Sequence, residues 1–146
     1  MDRLPKHALK TSDILELVHS LKIPNFAGVR MRDELAGKQV GTHECGIVNL
    51  DLSTGLGTHW ICYYCNGQGQ RYFFDSFAEP PPLELLHYLK SPSEWGMPVI
   101  KRNSLTVQHA QSSECGSLCL FVLKQLSLGI EFPKIIDLLY KRFLRN

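Results

Sequence analysis

The stretch from residue 115 to residue 128 constrains this chain most. It begins Cys115-Gly116-Ser117-Leu118-Cys119-Leu120-Phe121-Val122-Leu123 and stays apolar almost all round over a helical length. A helix apolar on nearly every side cannot rest on a surface, so the pattern predicts a helix set in the middle of a core. The residues just before it, Gln111-Ser112-Ser113-Glu114, are polar and turn-prone. The switch falls at Cys115, which puts its thiol at a helix N-terminus. There the unpaired backbone N–H groups and the helix dipole favour a thiolate. Gly116 leaves the backbone beside the sulfur unobstructed, and the same N–H groups could receive an oxyanion. Local sequence therefore allows two readings of Cys115, a nucleophile or a buried structural cysteine.

The rest of the chain supplies the layers around that helix. Thr11-Ser12-Asp13 reads as the cap of a short helix whose apolar residues Ile14, Leu15, Leu17, Val18 and Leu21 recur at helical spacing. Pro24 and Gly28 then break the chain into a loop. Residues 45–52, 58–65 and 71–77 read as strands, and Asn66-Gly67-Gln68-Gly69 turns the second into the third as a hairpin. Pro80-Pro81-Pro82 opens a helix carrying Leu83, Leu85, Leu86 and Leu89, and residues 98–102 and 104–108 read as short strands around Asn103. A last amphipathic helix runs over residues 133–145. The expected architecture is α+β in one domain, residues 1–146. It has a small, mostly antiparallel central sheet against the buried helix, with further helices on its flanks.

A thiol nucleophile needs a base, and the base needs an orienting group. If the hairpin is symmetric about Gln68, His59 lies opposite Phe77 and Ile61 lies opposite Asp75. Asp75 is then a diagonal cross-strand neighbour of His59, at about 7–8 Å between backbones, within reach of a carboxylate and an imidazole ring. A slip of one residue would send Asp75 to the other face. Asp75 also stands inside Tyr72-Phe73-Phe74-Asp75-Ser76-Phe77, an odd place for a charge without a partner. The plainer readings are a strand-end cap for Asp75 and a satisfied strand histidine for His59.

Gly57-Thr58-His59-Trp60, Phe73-Phe74-Asp75-Ser76-Phe77, Val107-Gln108 and Glu114-Cys115-Gly116 occur in that order. Together they resemble the adenovirus protease (adenain) family and, more widely, the proteases of ubiquitin-like proteins. The resemblance implies an adenain-like fold in which Cys115 attacks, His59 carries the proton and Asp75 orients the ring. It also implies that Gln108 donates its amide to an oxyanion hole beside the backbone N–H of Cys115. Gln111, nearer the nucleophile, is the rival for that role. Trp60 is read as packing beside the histidine. The implied activity is that of a cysteine endopeptidase maturing viral or transposon-encoded precursors, with capsid or other precursor proteins as its substrates. The same residues would serve a deubiquitinase or an isopeptidase for ubiquitin-like modifiers. A non-catalytic interaction module is the reading from another class, though it sits poorly with four intact functional positions. The chain is shorter at its C-terminus than adenovirus proteases. It also has no cysteine between Asp75 and Cys115, so their disulfide-tethered activating peptide is not implied.

Composition points to no other class, and nucleic acid stays open as a partner without being indicated. The net charge of +2 carries no strong field toward nucleic acid, and the local clusters Arg30/Arg32, Lys101/Arg102 and Lys141/Arg142/Arg145 read as solvated faces. No apolar run reaches membrane-spanning length and the N-terminus lacks a signal-peptide core. The expected setting is therefore intracellular, and the resemblance implies the host nucleus or cytoplasm and the virion. Five cysteines, an odd number, fit a reducing compartment. No cofactor is expected. His59-x-x-Cys62-x-x-Cys65, with His43 or Cys45 as fourth ligand, has zinc-like spacing, but a strand's two-residue period points Cys62 away from the other two.

Overall fold

A computed structural model describes all 146 residues. The chain forms α1 (Thr11–Leu21), β1 (Phe26–Met31), a 3-10 turn (Arg32–Leu35), β2 (Cys45–Asn49) and β3 (Trp60–Cys65). These are followed by β4 (Gln70–Phe74), α2 (Leu83–Leu89), β5 (Val99–Arg102), α3 (Cys115–Ser127) and α4 (Phe132–Arg145). The strands make one sheet in the order β1-β2-β3-β4-β5. Its three central strands run antiparallel, and β1 and β5 add to the two sides in parallel. No helix is long and apolar enough to cross a membrane.

The central strands are covered on both faces, which is why β3 reads as a continuous apolar run without alternation. Trp60, Cys62 and Tyr64 join the larger core with α1, α3 and α4, while Ile61, Tyr63 and Cys65 join a smaller one with Leu85, Tyr88 and Leu89 of α2. Helix α3 occupies the middle of the larger core. Its Leu118, Leu120, Val122 and Leu123 are fully buried, each contributing about 1.5–3 kcal/mol of burial.

Several boundaries differ from the sequence reading, for local reasons. Helix α1 starts at Thr11 instead of being capped by it, and Asp13 reaches back to accept the Lys10 N–H at 2.9 Å. The segment after Pro24 is an edge strand, not a loop, and Gly28 sits at an irregularity in its pairing with β2. Residues 104–108 form no strand. The Val107 N–H there donates to the Ser76 carbonyl at 2.8 Å. Strands β2, β3 and β4 are shorter than expected, so His59 and Asp75 stand just past their ends.

Candidate active site

The β3–β4 register pairs Cys62 with Phe74 and Tyr64 with Tyr72. This is the register expected of a hairpin symmetric about Gln68, and it brings His59 and Asp75 side by side at the end of the sheet. His59 Nε2 lies 2.7 Å from Asp75 Oδ1, with the carboxylate 2% exposed and the histidine 13%. A carboxylate only accepts, so Nε2 carries the proton and donates, and Nδ1 is left to face the thiol. Phe77 stacks on the imidazole, ring centroids 4.8 Å apart. Asp75 Oδ1 also accepts the Phe77 N–H at 2.9 Å. It is thus both the strand-end cap and the partner of His59, two roles that the sequence set against each other.

Cys115 opens α3 and lines the same cleft as His59. Burial alone would lower the histidine pKa. The hydrogen bonds to Asp75 and Cys115, with their charges, outweigh it and push His59 up to about 9. Burial would likewise raise the Cys115 thiol. The His59 hydrogen bond and the backbone N–H groups of Trp60 and Gly116 prevail, holding it below its ordinary value. The two shifts point the same way, both favouring transfer of the thiol proton to the imidazole. The other cysteines are buried and free.

Gln108 is 4% exposed and lines the same cleft as His59 and Cys115. Its Oε1 accepts from the Ser76 hydroxyl at 2.5 Å and its Nε2 donates to the Ser112 carbonyl at 2.9 Å. Gln111 is exposed and does not line the cleft. The cleft has a volume of about 780 Å³. One wall is the segment around Leu9, held down where the Trp60 indole N–H donates to the Leu9 carbonyl at 2.9 Å. The other is the loop around Gly55, Leu56 and Gly57. Asn49 accepts the N–H groups of Asp51 at 2.9 Å and Thr58 at 3.0 Å, and Asp51 accepts that of Gly57 at 2.9 Å. Gly57 takes a φ of +98°, which a side chain would strain.

No three His, Cys, Asp or Glu side chains gather as a metal centre. Cys62 faces α3 and Cys65 faces α2, on opposite sides of the sheet. Residues that sequence reasoning did not reach are Ser76, Asn49, Asp51 and, as a partner of Asp75, Asn103. Each acts through hydrogen bonds to residues distant in the chain or to loop backbone, for which no periodicity or spacing serves as a signal.

No protein-family model matches the chain. Among curated proteins it is similar to the SUMO-1 cysteine protease of African swine fever virus, in several isolates, at 23% identity over 99 residues. It is equally similar to the protein of the Vero-adapted Badajoz strain, named simply cysteine protease. The match covers 62% of this chain and only 36% of the relative, so the chain spans about a third of the length of the curated relatives it matches. Among solved structures, the crystal structure of the African swine fever virus protease superposes with a TM-score of 0.67 at 16% identity. That match covers 94% of this chain and 66% of the other. The selenomethionine form of the same protease gives 0.62 at 17%. In fold, then, this chain is an α+β protein like the crystallised African swine fever virus protease, and in sequence it is similar to a named viral cysteine protease.

Proposed function

We propose that the chain is a cysteine endopeptidase, with Cys115 as nucleophile, His59 as proton carrier, Asp75 as the group that orients it and Gln108 as an oxyanion donor. One observation carries the reading. A thiol held below its ordinary pKa and an imidazole held above its own share a cleft, with a buried carboxylate behind the ring. That pairing activates a thiol for acyl transfer.

The reaction follows from the charges. The Cys115 thiolate adds to the scissile carbonyl carbon, forming the C–S bond while the carbonyl electron pair moves onto oxygen. The oxyanion is met by the backbone N–H of Cys115 and the free N–H of Gln108. As the C–N bond breaks, the imidazolium gives its proton to the leaving amine. His59, now neutral, takes a proton from water, whose oxygen attacks the thioester. Collapse of that intermediate releases the acid and restores the thiolate. Asp75 keeps Nε2 protonated throughout, so the nitrogen exchanging protons is always Nδ1.

Maturation of viral or transposon-encoded precursors, capsid proteins included, is the finer form of this reading. It rests on the adenain-like motifs and on the viral relatives, and it places the enzyme inside infected cells and in virions. The relatives' name, SUMO-1 cysteine protease, favours a second form, removal of a ubiquitin-like modifier by the same residues.

A thiol-directed peptide probe tests the assignment. Wild type should label at Cys115 and the Cys115→Ala variant should not. Labelling that persists in the variant, or is absent from both, would overturn it. Rapid reaction with a probe built on the SUMO C-terminus selects the modifier form, and cleavage of precursor-derived peptides alone selects the maturation form.

A further inference from the structure

Gln108 can donate to an oxyanion only if its amide nitrogen, not its oxygen, is turned toward the cleft. The two ends of a glutamine amide are nearly equal in size, so packing alone does not choose between them. The chemistry of the neighbours does. The Ser112 carbonyl can only accept, so the group 2.9 Å from it must be the NH2. The other end must then be Oε1, and it faces the Ser76 hydroxyl at 2.5 Å. Ser76 is fully buried, so no solvent competes for that bond. Of the two hydrogens on Nε2, one is held by Ser112 and the second remains for a substrate oxygen.

Resting on the protease reading above, we infer that Ser76 is a positioning residue that anchors Oε1 of the oxyanion-hole amide in the orientation the Ser112 carbonyl selects. It acts through Gln108 and touches no reacting atom. Its place in the chain gives the role a further consequence. Asp75 sends its side chain to His59 and the next residue sends its own to Gln108. One dipeptide at the end of β4 thus aligns both the proton carrier and the oxyanion donor. The backbone around it is fixed by Asn103 at Asp75 and by the Val107 N–H at the Ser76 carbonyl.

Without the hydroxyl, Oε1 is buried with no donor. Turning the amide over would set oxygen against the Ser112 carbonyl, so neither orientation is satisfied. Ser76→Ala should lower kcat about ten- to a hundredfold, short of the roughly 10²–10³ expected for loss of the donor itself in Gln108→Ala. KM should change by less than about twofold, because the oxyanion exists only beyond the ground state.

The experiment measures hydrolysis of a peptide ending in Gly-Gly-aminomethylcoumarin, alongside the pH profile of Cys115 alkylation by iodoacetamide. Wild type, Ser76→Ala, Ser76→Cys, Gln108→Ala and the Ser76/Gln108 double variant are compared. Ser76→Ala should lose turnover yet keep the wild-type alkylation profile. The double variant should be no worse than Gln108→Ala, and Ser76→Cys, which retains a weak donor, should fall between wild type and Ser76→Ala. Full activity in Ser76→Ala beside an impaired Gln108→Ala overturns the positioning role alone. So do additive losses, or an alkylation profile displaced in Ser76→Ala. An unimpaired Gln108→Ala removes the oxyanion-donor role of Gln108 and the inference with it, and a wild type that alkylates but hydrolyses nothing overturns the protease reading as well.

Discussion

Asn103 brackets the backbone of Asp75. Its Oδ1 accepts the Asp75 N–H at 3.2 Å and its Nδ2 donates to the Asp75 carbonyl at 2.7 Å, all of it buried. The carboxylate facing His59 is therefore held by a side chain that never approaches the cleft. Asn103→Ala should destabilise the protein by about 1–3 kcal/mol, since two backbone groups lose their partner away from water. A looser Asp75 should also let the pKa of His59 fall. Denaturant melts and the alkaline limb of the pH–activity profile, which should move to lower pH, check the two parts separately.

The lowered Cys115 thiol and the raised His59 imidazole set the shape of that profile. The proposed mechanism needs Cys115 ionised and His59 protonated. The acid limb should lie below the ordinary thiol range and the alkaline limb at about pH 9. The limbs report the pair as a unit rather than either residue alone. Stability has its own sign. The folded pKa of His59 is above its unfolded value, so its contribution is full below about pH 6.5 and is lost as pH rises through about 9. The difference in Tm between wild type and His59→Gln should shrink over that window. A constant difference would rule out the raised pKa.

Gly116 is where helix α3 meets the cleft wall. A Cβ there would sit 3.1 Å from Leu9 Cδ1 and 3.3 Å from Trp60 Cδ1, tighter than ordinary packing. Alanine is the better helix former by about 1 kcal/mol, but overpacking costs about 1–3 kcal/mol. Gly116→Ala should be destabilised by about 1 kcal/mol net. Because Leu9 must move, KM should rise more than kcat falls. Thermal melts with steady-state kinetics decide it.

Glu114, the residue before Cys115, is tied to the last helix. Arg142 Nη1 lies 3.0 Å from one oxygen of Glu114 and Nη2 lies 3.2 Å from the other, both side chains mostly buried. This two-point clasp holds the start of α3 against the end of α4. Arg142→Glu should lower Tm by several degrees and slow turnover by placing two carboxylates face to face. Exchanging the two residues should recover part of both losses, which a double-mutant cycle measures.

What sequence could reveal follows the range of the forces. The β3–β4 register was legible because a glycine-rich turn fixes it and an apolar face enforces it, so the pairing of His59 with Asp75 followed from counting. Helix α3 was legible because nothing else accommodates so apolar a run. Strand β1 was not, since it lies at the sheet edge, is only half-buried and carries an irregularity at Gly28. Gln108 and Gln111 could not be separated by residue type. What separates them is burial in the cleft and the hold of Ser76, 32 residues away, and of Ser112 on the Gln108 amide, and such contacts leave no mark on hydrophobic periodicity. Asp75 stood out as a charge among aromatics, whereas its support by Asn103 left no trace in the pattern.

The placement of the cysteines also makes the chain easy to assay. Burial pushes the Cys45 and Cys65 thiols up to about 12 and raises Cys119 well above its ordinary value, and Cys62 is buried as well. Only Cys115 combines partial exposure with a lowered value. A gentle thiol reagent should therefore count one equivalent in the native protein and five after denaturation. The native count would report the concentration of competent sites in any preparation. A fluorophore attached through sulfur would sit at a single known position without any cysteine having to be removed.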